Sequence, residues 1–208
     1  MSLFTLQHVC YKNIVTYPDM EIPNGGSTFI SGESGAGKSI LLKLLNGALS
    51  PSSGRIIYRG QSIESYDPIG LRREVLLVGQ SVYLFDMSIR DNFKEFYAYR
   101  DMEAISDDEI SAYLQICSVS LPLDAICGML SGGERQRILI AIALSLPSNV
   151  FMLDEPTSAL DSRNAYALMT NLREDCRKKG RTMLVVSHDK NIADTFADHM
   201  ITLRGGVL

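Results

Sequence analysis

Tryptophan is absent from these 208 residues, and cysteine and histidine are too few and too scattered to organise a fold. Cys10, Cys117, Cys127 and Cys176 include no Cys-x-x-Cys pair. That excludes a disulfide framework or zinc ribbon and reads as reduced, mostly buried thiols of a cytosolic protein. The three histidines are equally dispersed, so a structural metal site is not expected. Long apolar runs are missing as well. A membrane-crossing helix needs about 20 consecutive apolar residues, and the best stretch, Ile138 to Leu146, is about half that and follows directly on Arg135 and Arg137. The chain is therefore not expected to span a membrane, and any membrane it serves must be crossed by another polypeptide. No basic segment followed by an apolar run opens the sequence, which excludes a signal peptide. Excess positive charge is also lacking: a net charge of −4 gives no reason to expect the broad basic surface of a nucleic-acid binder, and no nucleic-acid partner is expected.

What is there, 46% hydrophobic and 21% charged residues, is the composition of a globular domain. The length suits one core with an inserted lobe. Residues 3 to 31 read as short strands, Phe4-Thr5-Leu6, Ile14-Val15-Thr16 and Thr28-Phe29-Ile30, with a Pro23-Asn24-Gly25-Gly26 turn among them. From Lys38 the apolar spacing becomes helical through Leu45 and stops at Asn46-Gly47, with Pro51 beyond. Arg55 to Tyr58 and Glu74 to Val78 are further strand candidates. Residues 81 to 130 are less regular and more polar; within them Ser106-Asp107-Asp108-Glu109 offers a capping box for a helix to about Cys117. Gly132 to Leu146 reads as another helix, stopped by Pro147. Val150 to Leu153 and Thr182 to Val186 are all apolar, as strands buried on both faces of a parallel sheet are. This order predicts an α/β fold with a mostly parallel wound sheet, an N-terminal antiparallel β subdomain and an inserted helical lobe. The whole chain is expected to be one domain, with 1–80 and 139–208 as the core and 81–138 as the lobe.

The segment Gly32-Glu33-Ser34-Gly35-Ala36-Gly37-Lys38-Ser39 lies between a strand and a helix, the setting in which a glycine loop cradles phosphates. Glycines let backbone N–H groups turn inward around phosphate oxygens, and the following helix adds the partial positive charge of its N-terminus. Lys38 would reach the β- and γ-phosphates, and the Ser39 hydroxyl would coordinate Mg²⁺. Asp154 ends the apolar strand at the sheet's carboxyl edge, where its carboxylate can hold Mg²⁺ through water; Glu155 follows directly. A second phosphate-binding surface is offered by Ser131-Gly132-Gly133-Glu134, a helix N-terminus with Ser131 as cap and Glu134 three residues on.

The run Leu130-Ser131-Gly132-Gly133-Glu134-Arg135-Gln136-Arg137, the glycine loop and the Pro156-Thr157-Ser158-Ala159-Leu160-Asp161 continuation together resemble the ATP-binding subunits of ABC transporters, over nearly the whole chain. The resemblance implies a P-loop NTPase core of the RecA-like kind, ATP and Mg²⁺ as cofactors, and ATP hydrolysis as the activity. In such proteins an acid at Glu155 polarises the attacking water. Gln80 resembles the glutamine that contacts Mg²⁺ and that water, and His188 the histidine that contacts the γ-phosphate. Tyr11 falls where an aromatic residue stacks on adenine, with Tyr17 as a competitor. Ile40 departs from the pattern, which has Thr there bonding the α-phosphate; one such bond is worth roughly 1 kcal/mol net, so nucleotide affinity is expected to be a few-fold weaker.

The resemblance further implies that Ser131, Gly132, Gly133 and Glu134 complete the site of a second copy of the chain, two ATP molecules being sandwiched head to tail, with Asp161 in the segment that crosses the interface. Two classes of role follow. One is the ATPase subunit of a transporter, docked through the lobe near Gln80 on a separate transmembrane subunit at the inner face of the cell membrane. The other is a soluble ABC ATPase in macromolecular assembly or nucleic-acid metabolism, but a coiled-coil insertion or second cassette is missing. The segment Leu84-Phe85-Asp86-Met87-Ser88-Ile89-Arg90-Asp91-Asn92 looks like that of export-type subunits, including small stand-alone ones. The cargo is chosen by the missing membrane subunit, and the end at Leu208 is expected to leave no room for a regulatory domain.

Overall fold

A computed structural model describes residues 1–204. Its centre is a five-stranded parallel sheet of β4 (Ser27–Gly32), β7 (Val75–Val78), β8 (Val150–Asp154), β9 (Thr182–Val186) and β10 (His199–Leu203), in the order β10-β4-β9-β8-β7. The apolar runs 150–153 of β8 and 183–186 of β9 have a direct cause: every residue in both strands is buried. Their side chains alternate between two cores. Phe151, Leu153, Met183 and Val185 face one layer of helices, while Val150, Met152, Leu184 and Val186 face the other side. A strand that is wet on neither face carries no polar alternation.

The second side is covered by α1 (Lys38–Leu45) and an antiparallel sheet in which β1 (Ser2–Tyr11) pairs with β2 (Val15–Thr16), β3 (Met20–Pro23) and β5 (Ser53–Tyr58), with β6 (Gln61–Ser62) beyond β5. A short helix, α2 (Pro68–Glu74), is capped by Asp67, whose carboxylate accepts the Gly70 N–H at 2.6 Å. It leads into β7. The first side carries α3 (Ile89–Ala98), α4 (Asp107–Ile116), α5 (Gly132–Ser145), α6 (Ser162–Lys178) and α7 (Lys190–Phe196). The capping box at Ser106 forms with both arms present. The motif at 84–92 is used locally: Ser88 caps α3, and the buried Asn92 amide bonds the Phe85 N–H at 2.8 Å and the Phe85, Met87 and Ser88 carbonyls, pinning the loop that enters the lobe.

The expected boundary at 139 falls in the middle of α5, which runs unbroken from the lobe into the core, and a single apolar cluster joins Phe93 and Leu114 to Phe151 and Leu172. The C-terminal end of α5 has no glycine cap. Its last carbonyls are bonded instead by Tyr97 (Ser145, 3.1 Å), Arg181 (Leu144 and Leu146, both 2.9 Å) and Arg100 (Pro147, 2.9 Å). Cations belong at that end, where the helix dipole is negative. Among the described residues no helix is long and apolar enough to cross a membrane. The expectation drawn from the end at Leu208 lies outside the described residues.

Candidate functional site

The glycine loop leaves β4 and feeds α1, and the local chain geometry requires glycine at Gly37. That residue has φ +85°, and a Cβ on it would lie 2.8 Å from the Tyr17 hydroxyl and 2.9 Å from Val15. The Tyr17 hydroxyl donates to the Gly37 carbonyl at 2.7 Å, so the β1–β2 hairpin forms the floor of the loop. Burial raises the Tyr17 hydroxyl well above the ordinary tyrosine range, which keeps it a donor. The N-terminus of α1 has no side-chain cap and no acid in its first turn. Its free amides are therefore open to an anion. Lys38 is buried, and its ammonium donates to the Gly32 and Glu33 carbonyls at 2.8 and 2.7 Å. These bonds to the loop's own carbonyls help to hold its shape. Glu33, Ser34 and Gly35 form its exposed rim, and Ala36 is buried behind it.

Parallel pairing places the second half of the site. Asp154 lies beside Val186 in the β8–β9 register, so Glu155 emerges next to the Ser187-His188 turn. The buried Asp154 carboxyl lies beside the Ser39 side chain, 115 positions earlier. Burial raises this carboxyl above the usual carboxylate range; the Ser39 hydroxyl pulls it back, and the neighbouring Glu155 charge pushes it up again. One of its oxygens, Oδ1, is buried with no hydrogen-bond partner. A buried carboxylate oxygen without a partner, next to a serine hydroxyl at the mouth of a phosphate loop, is a hard-oxygen donor set that fits Mg²⁺. Glu155 Oε1 is 2.8 Å from His188 Nε2. Gln80 lies two positions past β7, exposed, at the same edge of the sheet, because Val78 pairs with Leu153 in β8. Ile40 is half-buried against the α1 core, and its side chain offers no polar atom to the loop.

Tyr11 is placed differently from the sequence-based expectation. Its ring is 8% exposed at the end of β1, and that of Tyr17 only 2%. Neither presents a free face on which a base could stack; the turn between β1 and β2 exposes Lys12, Asn13 and Ile14.

Ser131 and Asp161 are exposed caps of α5 and α6, bonded within their own helix ends. The Ser131 hydroxyl accepts the Glu134 N–H at 3.3 Å and donates to Glu134 Oε2 at 2.6 Å, while the Ser131 N–H bonds the same carboxylate at 2.9 Å. These bonds hold the Glu134 carboxyl below its ordinary range. Asp161 accepts the Asn164 N–H at 3.0 Å, which holds its carboxyl low in the same way. Two contributors escaped the sequence reading. Tyr17 supports the loop, and Gln136 donates from α5 to the Glu155 carbonyl at 3.2 Å. The first was legible only as a competing tyrosine, and the second is a contact across 19 positions with no local pattern to announce it.

The arrangement is that of a nucleoside triphosphate hydrolase, and comparison with known proteins agrees. The family model described as ABC transporter matches residues 15–158. The mycobactin import ATP-binding/permease protein IrtB of Mycolicibacterium thermoresistibile is 39% identical over 193 residues, covering 88% of this chain and 32% of its own length. The chain thus spans about a third of the length of that relative. Among solved structures, a bacterial Atm1-family ABC exporter with ATP bound superposes with a TM-score of 0.85 at 26% identity, over 98% of this chain and 38% of its own. A dimeric ATP-binding cassette in a post-hydrolysis state, bound to ADP and Pi, superposes with a TM-score of 0.84 at 25% identity, over 98% of this chain and 95% of its own.

Proposed function

The chain belongs to the ABC transporter family as its ATPase domain, and from that premise we propose that two copies close head to tail on two ATP molecules, hydrolyse them, and drive transport through a separate membrane-spanning partner. The observation that carries the reading is the convergence at one sheet edge of the Lys38 loop, the Ser39–Asp154 pair and the Glu155–His188 pair. Lys38 and the α1 amides bind the β- and γ-phosphates. Ser39, Asp154 and Gln80 would hold Mg²⁺, which supplies charge neutralisation to the phosphate oxygens when bound. Glu155 orients a water in line with the γ-phosphorus, and His188, 2.8 Å from the Glu155 carboxylate, would contact the γ-phosphate. The base seat expected at Tyr11 falls to the exposed Lys12-Asn13-Ile14 turn.

Ser131, Gly132 and Gly133 serve the partner's ATP, and Asp161 lies at the same interface. The single phosphate loop occupies one end of α1, whereas the second phosphate surface opens on α5, with Ser131 and Gly132 exposed. For the membrane partner, support comes from the lobe beside Gln80: Tyr83 and Tyr99 are 65% and 68% exposed and flank Phe85 at 5.2 and 6.2 Å between ring centroids. An uncovered aromatic cluster of this kind marks an interaction surface. Such docking places the chain at the cytoplasmic face of the membrane. Export is the direction we infer, on the 84–92 segment alone, and cargo selection belongs to the membrane partner.

The test is phosphate release as a function of protein concentration together with sedimentation of Glu155→Gln. Specific activity rises with concentration, and Glu155→Gln sediments as a dimer in saturating Mg-ATP. A Glu155→Gln chain that stays monomeric at micromolar concentration in Mg-ATP overturns the sandwich.

A further inference from the structure

Glu155 sits at φ +54°, in the left-handed region that residues with a Cβ normally avoid. Such a backbone persists only where its surroundings hold it. Four hydrogen bonds do so. The Glu155 N–H donates to the Val186 carbonyl of β9 at 3.0 Å. Its carbonyl accepts the Ser158 hydroxyl at 3.1 Å and the Ser158 N–H at 3.4 Å, both from the turn that follows. The fourth comes from a different element: Gln136 Nε2 donates to the same carbonyl at 3.2 Å from the second turn of α5. Gln136 is 7% exposed, so its amide is buried to make this contact.

The same helix begins at Ser131, the surface offered to the other subunit's nucleotide. Its first turn also lies on the 155–160 segment, since a Cβ on Gly133 would be 3.6 Å from the Ala159 carbonyl oxygen. One rigid helix thus has its end on one nucleotide and a buried amide on the residue that serves the other. We propose that Gln136 is a positioning residue. It fixes the left-handed backbone of Glu155 so that the carboxylate stays on the line of attack, and it ties hydrolysis in its own chain's site to the seating of α5 on the partner's ATP. The proposal rests on Glu155 being the water-orienting group.

The tests use the whole chain. Gln136→Met keeps the length of the side chain and donates nothing; Gln136→Glu keeps its shape and at neutral pH only accepts. Both lower kcat by about tenfold to a hundredfold, the cost of a misplaced catalytic group, while the Mg-ATP concentration at half-saturation stays within about twofold because the phosphate loop is untouched. Wild-type kcat in either variant, or a loss carried wholly by half-saturation, overturns the proposal. Glu155→Gln in the same assay separates the two readings: if it hydrolyses ATP at the wild-type rate, the role of Glu155 is wrong, whereas a dead Glu155→Gln beside a fully active Gln136→Met refutes only the role of Gln136.

Hydrogen exchange of the nucleotide-free chain tests the hold without turnover. Residues 155–160 exchange at least about threefold faster in Gln136→Met, with β8 and β9 unchanged; unchanged exchange at 155–160 overturns the proposal. Mixing Gln136→Met with excess Glu155→Gln chains decides whether the effect lies within the chain. No recovery of hydrolysis is expected, because the only intact Glu155 lacks its own Gln136. Recovery would mean that the glutamine acts across the interface, which contradicts the contact on which the proposal stands.

Discussion

Glu134 places a negative charge on the surface proposed to receive a γ-phosphate, and removing that charge while keeping the helix cap is a clean perturbation. Glu134→Gln preserves the capping box, since glutamine fills the third helical position of that motif as well as glutamate does. The geometry sets the magnitude. Ser131 Oγ is 2.6 Å from Glu134 Oε2, and a phosphate oxygen bonded to the same hydroxyl at about 2.7 Å would lie roughly 4.5 Å from the carboxylate. Two unit charges at that separation repel by about 1 kcal/mol in a water-like medium and by about 4 kcal/mol at an effective dielectric of 20. Glu134 is half-exposed, so the lower figure applies. About 1 kcal/mol is about a fivefold gain per site, and two equivalent sites in a head-to-tail dimer give about 25-fold in the dimer dissociation constant. The hydroxyl proton adds to this, because it is now donated to the carboxylate and must turn away to reach a phosphate. The assay is sedimentation equilibrium in saturating Mg-ATP, in a Glu155→Gln background to prevent hydrolysis, at low salt and again at about 0.5 M salt, where screening should shrink the gain. A Glu134→Gln dimer that is no tighter, or whose gain ignores salt, refutes the placement of a phosphate at Ser131.

Much of the core was legible because its signals are local. A phosphate loop is a run of eight residues, β8 and β9 announce their two-sided burial by having no polar residue before Asp154 and after Thr182, and the capping boxes at Ser106 and Ser131 need only four positions each. Helix α6 carries a weaker signal. Ala165, Leu168, Met169, Leu172 and Cys176 recur at helical spacing beneath an Asp161 cap, but nine Arg, Lys, Asp, Glu, Asn and Thr side chains from Arg163 to Lys178 dilute the apolar stripe. Long-range pairing is a different matter. Nothing in the sequence shows that Ser39 meets Asp154 or that Gln136 reaches Glu155, because those contacts are products of strand order. The two tyrosines of the first hairpin could not be told apart for the same reason. Both point inward, and burial, set by which face of the sheet packs on α1, decides that neither is free to stack.

Three further outcomes follow from single contacts. Lys38→Ala removes two charge-assisted bonds, to the Gly32 and Glu33 carbonyls, together with the phosphate ligand; titration with a fluorescent ATP analogue should show affinity falling by at least about 2 kcal/mol, and unchanged affinity would place the phosphates elsewhere. Burial raises the Asp154 carboxyl, so the folded site holds a proton at a pH where an ordinary aspartate has lost it, and Mg²⁺ must displace that proton. Apparent Mg²⁺ affinity for the ATP-loaded chain should therefore begin to fall on acidification above the usual carboxylate range, and Asp154→Asn should remove that dependence along with most of the affinity. The last concerns the far end of α5, where Arg181 is buried with its guanidinium bonded to the Leu144 and Leu146 carbonyls. Arg181→Met fills similar volume but leaves the Leu146 carbonyl unpaired and the Leu144 carbonyl with only its longer 3.4 Å bond from Lys179, a cost of about 1 to 3 kcal/mol by the usual range for an unsatisfied polar group. Arg181→Lys keeps the charge at the negative end of the helix but cannot span both carbonyls, so it should recover part of that loss and not all of it. Urea unfolding reads both. If Arg181→Met costs under about 1 kcal/mol, the guanidinium is not what terminates α5, and the Tyr97 and Arg100 bonds to Ser145 and Pro147 carry that end of the helix without it.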